Sequence, residues 1–195
     1  MSISNDSNLG LAGTQITLDG GTLLATGGGV SSPRPIQLIE SEGSDALAAS
    51  DGTIATYSGT VFGAGRLQIG NGNIEATGTV ALSGTNTYTG GTLVTAGATL
   101  SVNADAALGT GAITLTGGEL KTTGNFVTAR TIALNPLGIF TNRLAATGGT
   151  SAIYQGVISG NGGLQIGDGN SGTVVFRAFN TYLGDTTVNV NSVLS

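Results

Sequence analysis

The sequence contains no cysteine and no histidine, only three prolines, and 9% charged residues over a length of 195. Without cysteine neither a disulfide framework nor a thiolate metal site can form, and the redox compartment is left open. Without histidine the commonest general base and the commonest metal ligand are both missing, which removes most hydrolase and zinc mechanisms. Catalysis would have to run through carboxylates, Arg, Lys or Tyr. Six basic residues scattered singly in a chain of net charge −5 give no electrostatic footprint for nucleic acid or anionic lipid, so neither is an expected partner. No apolar run approaches a membrane span. Met1 leads into the polar Ser2-Ile3-Ser4-Asn5-Asp6 rather than into a basic and then apolar export signal.

Glycine, by contrast, is abundant: 35 residues, with no collagen period. The 39% hydrophobic content is enough to bury a core. Thr, Val, Ile and Leu fill the spaces between the glycines in period-two alternation, and runs suited to a helix are absent. This pattern predicts an all-β fold of short strands and tight turns.

The chain repeats itself once, at a spacing of about one hundred residues. Ile16-Thr17-Leu18-Asp19-Gly20-Gly21-Thr22-Leu23 returns as Ile113-Thr114-Leu115-Thr116-Gly117-Gly118-Glu119-Leu120, and Arg34-Pro35-Ile36-Gln37-Leu38 as Arg130-Thr131-Ile132-Ala133-Leu134. Tyr57, Gly63 and Leu67-Gln68-Ile69-Gly70 return as Tyr154, Gly160 and Leu164-Gln165-Ile166-Gly167, and Asn86-Thr87-Tyr88-Thr89-Gly90 as Asn180-Thr181-Tyr182-Leu183-Gly184. The copies divide the chain into units 1–97 and 98–195 of one continuous structure. They differ by a small deletion, since Ile74-Glu75-Ala76 has no counterpart between Asn170 and Ser171.

Each unit must hold several layers. Apolar pairs spaced by two recur at Leu67/Ile69, Val80/Leu82, Leu100/Val102, Ile113/Leu115, Ile132/Leu134, Leu164/Ile166 and Val174/Phe176, each putting two side chains on one face of a short strand. Gly90-Gly91, Asn71-Gly72 and Asp168-Gly169 lie between pairs, where a corner needs positive φ. Asn-Gly and Asp-Gly also suit antiparallel hairpins. A long unit recurring in register, apolar inside with Thr or Asn outside, favours a solenoid instead: a right-handed parallel β-helix of about eight rungs and about 40 Å, taking roughly 20 to 25 residues and roughly 4.8 Å per rung.

The runs 57–102 and 154–188 resemble the autotransporter-associated β-strand repeat of pertactin-like passengers. The strings that carry the resemblance are Gly63-Ala64-Gly65-Arg66-Leu67, Thr79-Val80-Ala81-Leu82-Ser83-Gly84, Asn86-Thr87-Tyr88-Thr89-Gly90-Gly91-Thr92, Ala96-Gly97-Ala98-Thr99-Leu100 and Asp105-Ala106-Ala107-Leu108-Gly109. The second copy departs at Leu183 and Asp185. The resemblance implies a secreted passenger displayed at a bacterial surface, outer-membrane-anchored in the parent by a C-terminal barrel. It also implies roles in passenger folding and export, in adhesion or in display. The chain is then expected to be a fragment of a longer exported protein, because Val193-Leu194-Ser195 is similar to Thr99-Leu100-Ser101, the opening of a unit. The partners this leaves are a host or cell-surface receptor or glycan, the rest of the passenger with its barrel, and further copies end to end.

Candidate sites are few, and no catalytic, cofactor-binding or metal-ligating residue is assigned. Glu40, Glu42, Asp45 and Asp51 form one acidic cluster, the kind of loop that binds calcium or supplies an acid/base pair, or that merely stays solvated. Gly162-Gly163-Leu164-Gln165-Ile166-Gly167-Asp168 fails as a calcium nonapeptide, because Gln165 and Gly167 stand where Gly and Asp are needed. Tyr88 and Tyr182 read as residues packed over a rung edge with a locally satisfied hydroxyl rather than as sugar platforms. Thr85, Thr87 and Thr89 lack the matched triplets an ice-binding plane requires. A polysaccharide lyase or carbohydrate-binding β-helix is the rival reading. It needs clustered acids with an Arg or Lys, whereas Asp19, Glu75, Asp105, Glu119, Asp168 and Asp185 stand singly in the sequence.

Overall fold

The computed structural model describes residues 1–40, 43–72, 76–95, 97–170 and 172–195. Within them the chain winds as a right-handed parallel β-helix of about eight turns. Every named strand pair is parallel, so the glycine-containing corners turn a coil and not hairpins. Gly72, Gly91 and Gly169 have φ of +77°, +82° and +90°, a region that costs a side-chain-bearing residue strain.

Three faces run along the coil. The first is an eight-stranded sheet of Ser2–Ile3, Thr22–Ala25, Asp45–Ala49, Leu67–Ile69, Thr92–Thr95, Ile113–Thr116, Ile132–Asn135 and Ile158–Gly160. The second, also eight-stranded, holds Val30–Ser32, Ile54–Tyr57, Thr79–Leu82, Thr99–Val102, Glu119–Thr122, Asn142–Ala146, Leu164–Ile166 and Thr186–Val188. The third is split into Ile16–Leu18, Ile36–Leu38 and Val61–Gly63 at one end and Phe126–Thr128, Ser151–Tyr154, Thr173–Phe176 and Val193–Leu194 at the other.

Between those two blocks the third face continues without strands. Residues 86–89 hang from Val61–Gly63 through Thr87 N–H to Val61 C=O and Thr89 N–H to Gly63 C=O. The 3-10 turn Asp105–Leu108 follows, with Asn86 N–H bonded to Ala106 C=O, and Phe126–Thr128 rests on that turn. One turn takes between 19 residues, from Ile113 to its partner Ile132, and 26, from Ile132 to Ile158.

The two copies match strand for strand but not face for face. Ile16–Leu18 lies on the third face and its equivalent Ile113–Thr116 on the first; Thr22–Ala25 lies on the first and Glu119–Thr122 on the second. Val30–Ser32 on the second face corresponds to Phe126–Thr128 on the third. One unit is therefore four full turns plus one side, and the second copy is rotated by one face about the axis. The expectation of simple in-register stacking is corrected accordingly.

Apolar pairs stack inward as their period requires. Leu67, Ile69, Ile113, Leu115, Ile132 and Leu134 of the first face are fully buried, as are Val80, Leu82, Leu100 and Val102 of the second. Only Phe176, in the penultimate turn of the third face, is half-buried. Burial at this level is worth roughly 1.5 to 3 kcal/mol per large side chain, and the parallel register makes each turn the lid of the one before. The rule of Thr and Asn outside breaks at Asn86, Thr122, Thr128 and Asn142, all buried. Buried amides and hydroxyls satisfy backbone groups that a solenoid corner leaves over.

Candidate functional site

The largest fully buried side chain is charged. Arg34, 1% exposed, follows Val30–Ser32 and reaches back to the 3-10 turn Asp6–Leu9 in the turn below. Its Nε donates to Asp6 Oδ1 at 2.9 Å, Nη1 to Leu11 C=O at 2.7 Å and Nη2 to Gly10 C=O at 2.9 Å. Arg130 repeats this on Asp105–Leu108: Nε to Asp105 Oδ1 at 2.8 Å, Nη1 to Gly111 C=O at 2.9 Å and Nη2 to Gly109 C=O at 2.5 Å. The guanidinium fork thus ties both ends of a 3-10 turn at once, with its charge countered by the first residue of that turn. Burial pushes the Asp6 carboxyl up, but hydrogen bonds from Arg34 and Ser32 and the Arg34 charge outweigh it and hold the group below its ordinary value. The sequence showed Arg34 returning as Arg130. The role was hidden because the acid partner lies a turn away in a divergent string, Asp6-Ser7-Asn8-Leu9 against Asp105-Ala106-Ala107-Leu108.

A second repeated device closes the third face in the first copy and the first face in the second. Asn86 Oδ1 accepts from Val61 N–H at 2.8 Å while Nδ2 donates to Ala107 C=O at 2.6 Å, so one amide joins the turn before to the turn after. Asn180 Oδ1 takes the same N–H, that of Ile158, at 2.9 Å. Tyr88 is fully buried rather than laid over a rung edge, and its hydroxyl meets Thr92 Oγ1 at 2.6 Å; Tyr182 and Thr186 repeat the bond at 2.6 Å. Burial raises the Tyr88 phenol to about 12. Thr85, Thr87 and Thr89 face outward between these inward residues. A glycan platform needs an accessible ring face, which Tyr88 does not have.

The described members of the acidic cluster do not assemble. Glu40 is exposed, Asp51 is exposed and accepts from Thr77 Oγ1 at 3.0 Å, and Asp45 is buried on the first face. Glu42 lies outside the described residues, as do Ile74, Glu75, Ala96 and Ser171. The reading of this stretch as a solvated loop fails at Asp45, whose position in the strand Asp45–Ala49 turns its side chain inward. Among the described residues no group of three or more acidic side chains is placed to hold a metal ion.

Acids that stand singly in the sequence do come together on the second face. Glu119 pairs in register with Arg143, and Arg143 with Gln165. Arg143 Nη1 meets Glu119 Oε2 at 3.2 Å, its Nε and Nη2 reach Gln165 Oε1 at 3.0 and 2.7 Å, and Lys121 Nζ meets Asp168 Oδ2 at 2.6 Å across two turns. Burial raises Glu119, with Asp168 adding and Arg143 and Lys121 opposing; Asp168, though partly buried, is held low by hydrogen bonds from Lys121 and Asn170. Two carboxyls are thereby pushed apart, the pattern of an acid and a base. Among the described residues Glu119 Oε1 is buried without a partner, and Glu119 lines a cavity of about 190 Å³ together with Gly117, Ile139, Phe140 and Thr141. The four charges cancel pairwise, which ties turns together and leaves little field for a charged ligand. Period-two alternation was the available signal, since residues 119 and 121 must share an outward face; the missing link was the register with residues 143 and 168. No family model, curated protein or solved structure matches the chain.

Proposed function

We propose that this chain is a structural β-helix segment of a secreted, surface-displayed bacterial autotransporter passenger, supporting passenger folding and export and carrying adhesion or display without catalysis. The observation that carries this reading is the direction of what the copies share. Asp6 and Asp105, Arg34 and Arg130, and Asn86 and Asn180 act on backbone or neighbouring turns, and Tyr88 and Tyr182 tie to Thr92 and Thr186 four residues on within their own turn. Outward positions diverge: Thr85 becomes Phe179, and Arg66 becomes Gly163. A repeated ligand site would keep its outward residues. Repeated folding devices keep their inward ones, and turns that close locally could template those that follow during export. The test is surface display of the chain between an export signal and an outer-membrane barrel. Changing Tyr88 and Tyr182 to Ser should lower the amount displayed, while any affinity of the displayed molecules for a receptor or glycan stays unchanged. Normal display with lost binding would make these tyrosines a receptor site.

The Glu119–Arg143 and Lys121–Asp168 pairs favour a second reading, a carbohydrate-binding or polysaccharide-lyase-like β-helix. Loss of pectin viscosity with time, abolished by Glu119→Gln, or calcium-dependent thermal stabilisation would support it. Glycan binding without turnover would support the adhesin.

A further inference from the structure

The repeat supplies an internal control for a single buried group. Asp45 begins the first-face strand Asp45–Ala49 of the first copy, and Asn142 begins the equivalent strand Asn142–Ala146 of the second. Their Oδ1 atoms do the same work: Asp45 accepts from Gly20 N–H at 2.8 Å and Asn142 from the equivalent Gly117 N–H at 2.8 Å. Their other atoms differ. Asn142 Nδ2 donates to Asn135 C=O and Gly163 C=O, each at 3.1 Å. Among the described residues Asp45 Oδ2 is buried with no hydrogen-bond partner.

The two environments coincide around that atom. A Cβ placed on Gly162 would strike Asn142 Nδ2 and the Asn135 carbonyl, and a Cβ placed on the equivalent Gly65 would strike Asp45 Oδ2 and the Ile39 carbonyl. The carboxylate oxygen therefore packs on Gly65 as the amide donor packs on Gly162, with the carbonyl of the preceding corner against the same glycine in each copy. As a bare anion it would lie near that carbonyl with like partial charge and only the Gly20 and Ile39 backbone donors to offset its burial, an arrangement that is costly for a buried group. With a proton it becomes a hydroxyl donor and reproduces the amide.

We propose that Asp45 is a proton-binding site: in the folded chain its Oδ2 carries a proton and donates to the Ile39 carbonyl, clasping the corner before the strand as the amide of Asn142 does in the second copy. The surroundings agree. The flanking strands Thr22–Ala25 and Leu67–Ile69 and the packed Thr79–Leu82 carry no titratable side chain. On the following strand Tyr57 is raised by burial to about 12 and stays neutral. Of the charges nearby among the described residues, Asp19 opposes ionisation of Asp45, Glu40 and Asp51 are exposed, and Arg66 is bonded to Ser44 Oγ at 2.9 Å. Burial is the largest influence on Asp45 and pushes its carboxyl up, against hydrogen bonds from the Gly20 and Ile39 backbone.

Because the folded value lies above the ordinary 3.8, the stabilisation is complete below 3.8 and is lost as pH rises through the folded value. The test compares thermal melting across pH for the wild type, Asp45→Asn and Asn142→Asp, with the Asp45 carboxyl carbon followed by NMR. Asp45→Asn is expected to melt higher than wild type at neutral pH and to lose the wild type's decline with rising pH. Asn142→Asp should acquire a second decline of the same sign. Identical pH profiles for wild type and Asp45→Asn, or a carboxyl carbon titrating at or below 3.8 in the folded chain, would overturn the proposal.

Discussion

Arg34 and Asp6 lie 28 residues apart and meet at 2.9 Å inside the solenoid, with Arg34 all but sealed from solvent. Arg130 and Asp105 make the same pair at 2.8 Å one unit later, more exposed. A buried pair is costly to break because the survivor is stranded, by roughly 3 to 5 kcal/mol. Because Asp6 is itself partly exposed, Arg34→Ala should cost less than that, about 1 to 3 kcal/mol chiefly from the Gly10 and Leu11 carbonyls it leaves without a donor, and Arg130→Ala less again. Arg34→Lys should recover only part, since an ammonium cannot span Asp6, Gly10 and Leu11 together. Denaturant midpoints of the three variants check this ranking.

Acid should act on the same pair. Asp6 is held below its ordinary 3.8, so its contribution is present above 3.8 and disappears as pH falls through the lower folded value. Arg34→Ala should remove that part of the acid sensitivity. An unchanged acid limb in the variant would show that Asp6 draws nothing from Arg34.

Buried tyrosines separate by their hydroxyls. Tyr88 bonds Thr92, whereas the Tyr154 hydroxyl, buried between Phe126 and Phe176, whose ring centroids lie 5.9 and 6.2 Å from that of Tyr154, has no partner among the described residues. Tyr88→Phe should cost about 1 kcal/mol, the net value of a hydrogen bond. Tyr154→Phe should be neutral or stabilising, because it removes a desolvated group and keeps the ring. Melting temperatures moving the same way by the same amount would contradict both assignments.

Alternation can be tested on adjacent residues. Leu115 is fully buried and Thr114 points outward between Leu93 and Ala133. Leu115→Asp loses roughly 1.5 to 3 kcal/mol of apolar burial and adds an unpaired charge, enough to open its turn and the neighbours. Thr114→Asp should stay within about 0.5 kcal/mol. Circular dichroism melts distinguish the two.

Close backbone approach makes a fourth comparison. At Gly156 a Cβ would collide with the Arg130 carbonyl of the turn below, while at Gly21 it would meet open space without positive φ. Gly156→Ala should destabilise strongly, and Gly21→Ala should be neutral or gain about 0.4 to 1 kcal/mol by restricting the unfolded chain. Equal effects would mean that stacking distance does not constrain residue 156.

The architecture was legible in the sequence because its cause is local: period-two pairs such as Ile113/Leu115 fix which side chains enter, and the glycine-containing corners fix where the chain turns. What escaped were relations between turns. Nothing near Glu119 in sequence shows Arg143 and Asp168, and nothing near Arg34 shows Asp6. The general rule of Thr or Asn outside does not hold for Asn86 and Asn142, because an amide with one donor face and one acceptor face is what a buried corner between two turns requires. Asp45 was grouped with exposed acids on polarity alone. Composition ranks residues by their preference for water; register decides which of them find partners without it.

The one-face offset between copies sets the phase of anything carried outside. Equivalent outward positions, such as Thr85 and Phe179, are separated by a third of a revolution as well as by a rise along the axis. Features repeated once per unit would wind around the rod like steps of a spiral stair, and only every third step would look the same way. A flat opposing surface could not engage successive copies of one feature together, so avidity from simple repetition is denied to it. A flexible partner able to wrap the rod could follow the whole stair.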